Sequence, residues 1–127
     1  MTKNSDVVNR ALGLLMPLGP VRSRAMFGGH GLYLDEVMFA LIGWGGLWFR
    51  VDGETKTRFA EAGSEPFIYQ GKTKPVEMPY WRAPPGSMES PDSLLPWAEI
   101  ALAAARRAKA KKQQKGAARR RQGFDHG

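Results

Sequence analysis

His30 and His126 are the only imidazoles among the 127 residues, and there is no cysteine. Thiol catalysis, disulfides and thiolate metal sites are therefore excluded. Neither histidine has a second histidine or a carboxylate pair at metal-ligand spacing, so no metal and no cofactor is expected. None of the serines sits in a G-x-S-x-G elbow, which removes the usual seryl nucleophile. Gly28, Gly29 and Gly31 around His30 suggest a phosphate cradle. They lack the downstream helix and the Gly-Lys-Ser/Thr or G-x-G-x-x-G pattern that such a cradle requires. These residue types argue for a noncatalytic protein, with a small-ligand or enzymatic role at the glycines and His30 as the minor alternative.

Binding chemistry is better represented. Alternation along a strand over Val21 to Phe27 puts Arg22, Arg24 and Met26 on one face. If the sheet carries helices on one side only, Arg22, Arg24, Tyr33, Trp48 and Arg50 can share the other side. That interleaves cations with aromatics as single-strand nucleic-acid binders do, although a solvated face or a dimer interface uses the same residues. The side taken by Trp48 is left open, because Leu47 and Phe49 compete for the covered face. Tyr80, Trp81 and Arg82 form a second candidate, for protein interaction. They are hot-spot types if exposed, and anchors for the closing helix if buried.

The charge is unevenly spread. Net charge is +7, yet nine of the 19 Lys and Arg lie beyond position 105 against Asp125 alone, giving +8 there and −1 in the rest. Any attraction to polyanions therefore belongs to the C-terminal stretch, with Lys109, Lys111, Lys112, Lys115, Arg119, Arg120 and Arg121 as candidate nucleic-acid contacts. Nothing in that stretch can read bases, so such contact would be nonspecific.

The elements that must position these residues follow from periodicity. An amphipathic helix, capped by Asn4 or Ser5, carries Val8, Leu12 and Leu15 until Pro17 and Gly19 end it. A long first strand follows, bent or bulged at Gly28, Gly29 and Gly31, because adjacent glycines in a strand mark such breaks. Asp35 and Glu36 turn it into Val37 to Ile42, and Gly43, Trp44, Gly45 and Gly46 turn that into Leu47 to Val51. Asp52 is the expected N-cap of a short helix over Gly53 to Ala62, stopped at Gly63. Phe67 to Tyr69 and Val76 to Trp81 are two further strands, and Pro79 places the second at an edge or a bulge. The closing helix is expected to start at Ser93, with Pro96 in its first turn and Trp97, Ile100, Ala101, Ala104, Ala105 and Ala108 as its stripe. One domain over 1–108 and a basic, disordered tail over 109–127 result. No apolar run approaches the ~18 residues needed to span a bilayer, so no membrane contact and a cytoplasmic setting are expected.

The order is α-β-β-β-α-β-β-α, an α+β arrangement with helices on one side of a five-stranded antiparallel sheet. Arg24, Met26, Phe27, Gly28, Gly29, Gly31 and Tyr33, with Phe39 and Leu41, resemble the opening of the TfoX/Sxy N-terminal domain family of bacterial competence-regulator relatives. Gly63 to Phe67, the Lys74, Pro75, Val76 and Met78 step, and the Tyr80, Trp81, Arg82 run are similar too. The resemblance covers roughly Leu12 to Arg107. It implies a two-layer fold similar to type III secretion chaperones, and a noncatalytic regulatory or protein-binding role, with a protein partner or a homodimer. Full-length regulators of this type carry a further C-terminal helical domain and are linked to expression of DNA-uptake genes with a cyclic-AMP receptor protein. The chain is expected to act without that domain. The family brings no catalytic residues to these positions.

Overall fold

The structure is a computed structural model that describes residues 3–26, 28–43 and 46–125, with side chains over 6–26, 28–43 and 46–112. Phe27, the Trp44 and Gly45 connection and His126 lie outside the described residues. In chain order the elements are α1 (Lys3–Leu14), β1 (Arg22–Met26), β2 (Gly29–Leu34), β3 (Val37–Gly43), β4 (Gly46–Arg50), α2 (Lys56–Glu61), β5 (Pro66–Gln70), β6 (Pro75–Arg82) and α3 (Pro91–Asp125). Short 3₁₀ turns at Met16–Leu18 and Ser87–Glu89 complete them. The fold is α+β, with one antiparallel sheet in the order β1-β2-β3-β4-β6-β5.

The sixth strand comes from the glycines. Instead of bending one long strand, the chain reverses completely, and Met26 pairs with Gly29 while Arg22 pairs with Tyr33. Gly28 takes a φ of 79°, a conformation open to glycine at no steric cost. A Cβ on Gly29 would stand 2.2 Å from the Ile42 carbonyl oxygen, so that position admits no side chain without moving β3. The expected bend at Gly28, Gly29 and Gly31 is thus a hairpin at the first two. Gly31 has another duty, since its Cβ position is filled by the Met38 sulfur at 2.8 Å and by Tyr33 and Met26.

The other turns follow local chemistry. Asp35 and Glu36 both adopt positive φ, 51° and 64°, as a two-residue turn between Leu34 and Val37 requires. Gly63 ends the α2 segment at a φ of 87°. Pro79 lies in β6, which is flanked by β4 and β5 and so is no edge strand. Its nitrogen faces β4 at the last rung of that ladder, where the Val51 N–H donates to the Pro79 carbonyl at 3.0 Å and only the reciprocal bond is lost, while the β5 pairing opposite is irregular between Pro66 and Ile68.

Two helix starts differ from expectation. The α2 segment begins at Lys56, because Asp52 first closes a turn: its carboxylate accepts from the Glu54 and Thr55 N–H groups at 3.0 and 3.2 Å. The α3 helix begins at Pro91, with Ser90 and not Ser93 ahead of it. Ser90 Oγ accepts the Ser93 N–H at 3.2 Å, and Pro91 sits where a missing N–H costs nothing. Pro96 consequently falls inside the helix. The helical backbone continues beyond Lys109 to Asp125, through a run of Ala, Lys, Arg and Gln that are strong helix formers on their own.

All three helices lie on one face of the sheet. Leu32, Phe39, Ile42, Leu47 and Phe49 from the strands meet Ala11 and Leu15 of α1, Phe59 of α2, and Leu94, Ala98 and Ala101 of α3 in the main core. Phe59 bridges Phe49 and Trp97, with ring centroids 6.3 and 4.9 Å away. Full burial of each such side chain stabilises by about 1.5–3 kcal/mol. At the far end of the packed stripe, Arg107 Nε reaches Asp52 at 2.8 Å and Glu54 at 3.2 Å, while Arg106 reaches Asp35 at 3.5 Å. The first two cations of the basic run therefore tie α3 to the loops around the sheet.

Candidate interaction face

With the helices on one side, alternation delivers the opposite set of side chains to the other. Leu47, Phe49 and Val51 take the covered face, which sends Trp48 and Arg50 outward. The register then sets Arg22 beside Tyr33, Leu41 beside Trp48, Trp48 beside Arg82 and Arg50 beside Tyr80. All five expected cationic and aromatic residues, Arg22, Arg24, Tyr33, Trp48 and Arg50, thus share one face.

That face has a small core of its own. Trp48, Phe67 and Tyr80 are buried, with Met38, Leu41 and Met78 packed against them. Trp48 and Phe67 meet edge to face at 5.0 Å, and the indole N–H donates to the Gly43 carbonyl at 3.0 Å. In place of helices, arginines form part of the lid: Arg82 lies 5.4 Å from the Trp48 ring, Arg50 5.6 Å from Tyr80 and Arg24 6.0 Å from Tyr33. Each guanidinium sits where the negative face of the ring attracts it, and its methylenes cover apolar surface. Trp48 is only 7% exposed, so it offers no free ring on which a base could stack. Burial raises the Tyr80 phenol above its ordinary value, with Arg50 opposing and Tyr33 adding to the rise. Arg50 Nε is buried without a hydrogen-bond partner among the described residues.

Tyr80, Trp81 and Arg82 do not form one patch. Tyr80 and Arg82 belong to the helix-free face, whereas Trp81 pairs with Phe49 and packs against the main core. Arg82 also meets Glu65 at 3.5 Å. Lys109, Lys111 and Lys112 are exposed on α3, in the layer opposite the arginine face. Lys115, Arg119, Arg120 and Arg121 follow on the same helix. The two candidate nucleic-acid surfaces therefore belong to different layers.

Among the concavities of the helix-free side, two adjoin the residues singled out above. A polar basin of about 650 Å³ is lined by Arg22, Ser23, Arg24, Tyr33 and Glu36. A second, of about 260 Å³, lies beside His30, with Met26, Leu41, Phe67, Tyr69 and Met78 on its wall. Its lining is almost wholly apolar. His30 borders it from β2 but pairs with Ile42 and shares a face with Leu32, both in the main core, so its imidazole alternates to the helix-covered side. His30 Nδ1 is buried and unpartnered among the described residues. This arrangement suits an apolar group better than acid–base chemistry, which needs a second polar partner in reach of the substrate. The cavity was missed in the sequence, although Met26 alternating with Arg22 and Arg24 was its visible corner. No group of three or more metal-ligating side chains occurs among the described residues.

Over residues 13–105 the chain matches the family model described as the TfoX N-terminal domain. The chain belongs to this family. The two concavities described above lie within the stretch of this TfoX N-terminal domain that is matched, and the cations from Arg106 onward lie beyond it. DNA transformation protein TfoX1 of Aliivibrio fischeri (strain ATCC 700601 / ES114) is 35% identical over 91 residues, which are 72% of this chain. Those residues are 44% of the relative, so the chain spans less than half its length. No described helix is long and apolar enough to cross a membrane.

Proposed function

We propose that this domain is a noncatalytic regulatory module that acts by binding protein, in the control of DNA transformation to which the name of its relative points. The observation that carries the reading is the concentration of exposed apolar residues on the β5–β6 hairpin. Ile68, Tyr69 and Val76 are 44%, 56% and 43% exposed, and Met16 is the one other large apolar side chain so exposed among the described residues. Clustered exposed large apolar residues are what protein interfaces are built from. The test is capture from lysate by the full chain and by an Ile68→Lys/Tyr69→Lys variant, with and without nuclease. Capture that survives nuclease and is lost in the variant is expected. A strictly monomeric protein that captures nothing would overturn the reading.

A second reading rests on Lys109, Lys111 and Lys112, exposed together on α3: nonspecific nucleic-acid binding by counterion release. Titration of fluorescent DNA and RNA with the full chain and with Lys109, Lys111 and Lys112 changed to Gln decides it. Binding should weaken in the variant and show a shallower salt dependence. Equally poor binding by both at low salt would remove this reading.

A further inference from the structure

We propose that β1 is the docking edge for an acidic, extended segment of a protein partner, which adds to the sheet as a seventh strand and places an apolar side chain in the cavity beside His30. The inference rests on the protein-binding reading above and assigns it a site. The sheet ends at β1, whose one described strand neighbour is β2, so a row of backbone N–H and C=O groups faces outward. An added strand satisfies those groups, and alternate side-chain pockets supply selectivity.

The side chains of β1 specify what the strand must carry. Arg22, Ser23, Arg24 and Ala25 are all exposed, and neither Arg22 nor Arg24 joins any ion pair among the described residues. Both line the polar basin, where Glu36 is the one carboxylate among its described lining residues. Two residues further along the same face, Met26 forms part of the apolar cavity wall. Cations at two alternate positions and an apolar opening at the third demand their complements at the same spacing. Cross-strand neighbours have Cβ atoms only about 4.5–5.5 Å apart, so acids opposite Arg22 and Arg24 are in direct reach. The recognised pattern is acid-x-acid-x-apolar, or its reverse for the antiparallel direction.

A second copy of β1 is a poor occupant, because antiparallel self-pairing would bring the arginines of both copies together. The strand at the other end of the sheet, β5, has the opposite character: Pro66, Phe67, Ile68, Tyr69 and Gln70 carry no charge. Charge therefore distinguishes the two edges, and only β1 calls for an acidic partner.

The test is selection of a displayed library of random ten-residue peptides against the full chain. The enriched peptides are then measured at two salt concentrations against wild type, Arg22→Glu/Arg24→Glu and Leu41→Phe, which adds volume to the cavity wall. The proposal expects enrichment of acids at alternate positions followed by a large apolar residue. It expects at least tenfold weaker binding to the double variant and to Leu41→Phe, with melting temperatures confirming that both fold. Slowed hydrogen exchange at Arg22–Met26 in the complex is the third expected sign. Peptides without the alternating acids, or peptides that bind the double variant equally well, would overturn the docking edge while leaving a protein-binding role elsewhere on the face intact. A library with no enriched peptide would overturn it too, and the capture experiment above then decides the broader reading separately.

Discussion

Trp48 and Phe49 are consecutive in β4 and buried to a similar degree, at 7% and 0% exposure, but they are buried by different means. Phe49 lies under α2 and α3, among Phe59, Ile42 and Leu94, where apolar groups surround it on every side. Trp48 lies on the side without helices, held by Phe67 at its edge, by an N–H bond to Gly43, and by the guanidinium of Arg82. A helix layer excludes water by packing. An arginine layer does so with single long side chains laid over the rings. The covered face is therefore closed by a packed layer, and the helix-free face by individual long side chains.

Substitution of the two neighbours tests that contrast directly. Phe49→Ala should cost about 3–5 kcal/mol in urea unfolding, since its cavity is enclosed on all sides. Trp48→Ala should cost about 3 kcal/mol or less, because side chains on the open face can settle into the space. Equal losses would mean that the arginine lid is as rigid as the helix layer.

The ion pair that fastens α3 gives a smaller effect. The hydrogen bond from Arg107 holds the Asp52 carboxyl below its ordinary 3.8, against desolvation, with further lowering from the Arg107 charge and from the Glu54 N–H and Thr55. A depressed pKa contributes stability that is present above the ordinary value and is lost as pH falls through the folded one. Both side chains are partly exposed, at 41% and 27%, so Arg107→Ala should cost about 0.5–1 kcal/mol at neutral pH. The gap between variant and wild type should close in acid. A gap that persists there would show that Arg107 acts through packing.

Tyr80 gives the smallest effect at neutral pH and the sharpest report on the open face. Its raised pKa means that the stability it contributes is complete below 10.0 and is lost as pH rises through the folded value. Absorbance titration of the three tyrosines should show one that ionises late, and Tyr80→Phe should remove that phase. If all three ionise together, the face is more open to water than its burial indicates.

Much of this was legible in the chain. Alternation alone grouped Arg22, Arg24 and Met26, and the polar pair Asp35 and Glu36 announced its turn. The family signature around Gly28 to Tyr33 named the fold. What local pattern did not carry was pairing. Gly28 and Gly29 suit a bulge and a hairpin equally, and only the pairing of Arg22–Met26 with Gly29–Tyr33 shows the reversal to be complete. Ser90 and Ser93 are both sound caps by type, and the Pro91 that follows Ser90 settles the choice. Pro79 reads as an edge or bulge residue; its strand lies inside the sheet, with Pro79 at the last β4 rung and opposite the irregular stretch of β5.

Composition and spacing by themselves determined that this chain folds as α+β around an antiparallel sheet, lacks cysteine and carries a basic stretch after position 105, because these depend on residue type and near neighbours. The tertiary structure decided which side Trp48 takes, that Tyr80 and Trp81 part company across the sheet, and that Met26, Phe67 and Met78 enclose an apolar cavity. Those facts depend on residues far apart in the chain meeting in space, and no periodicity along a chain encodes which strand will lie beside which.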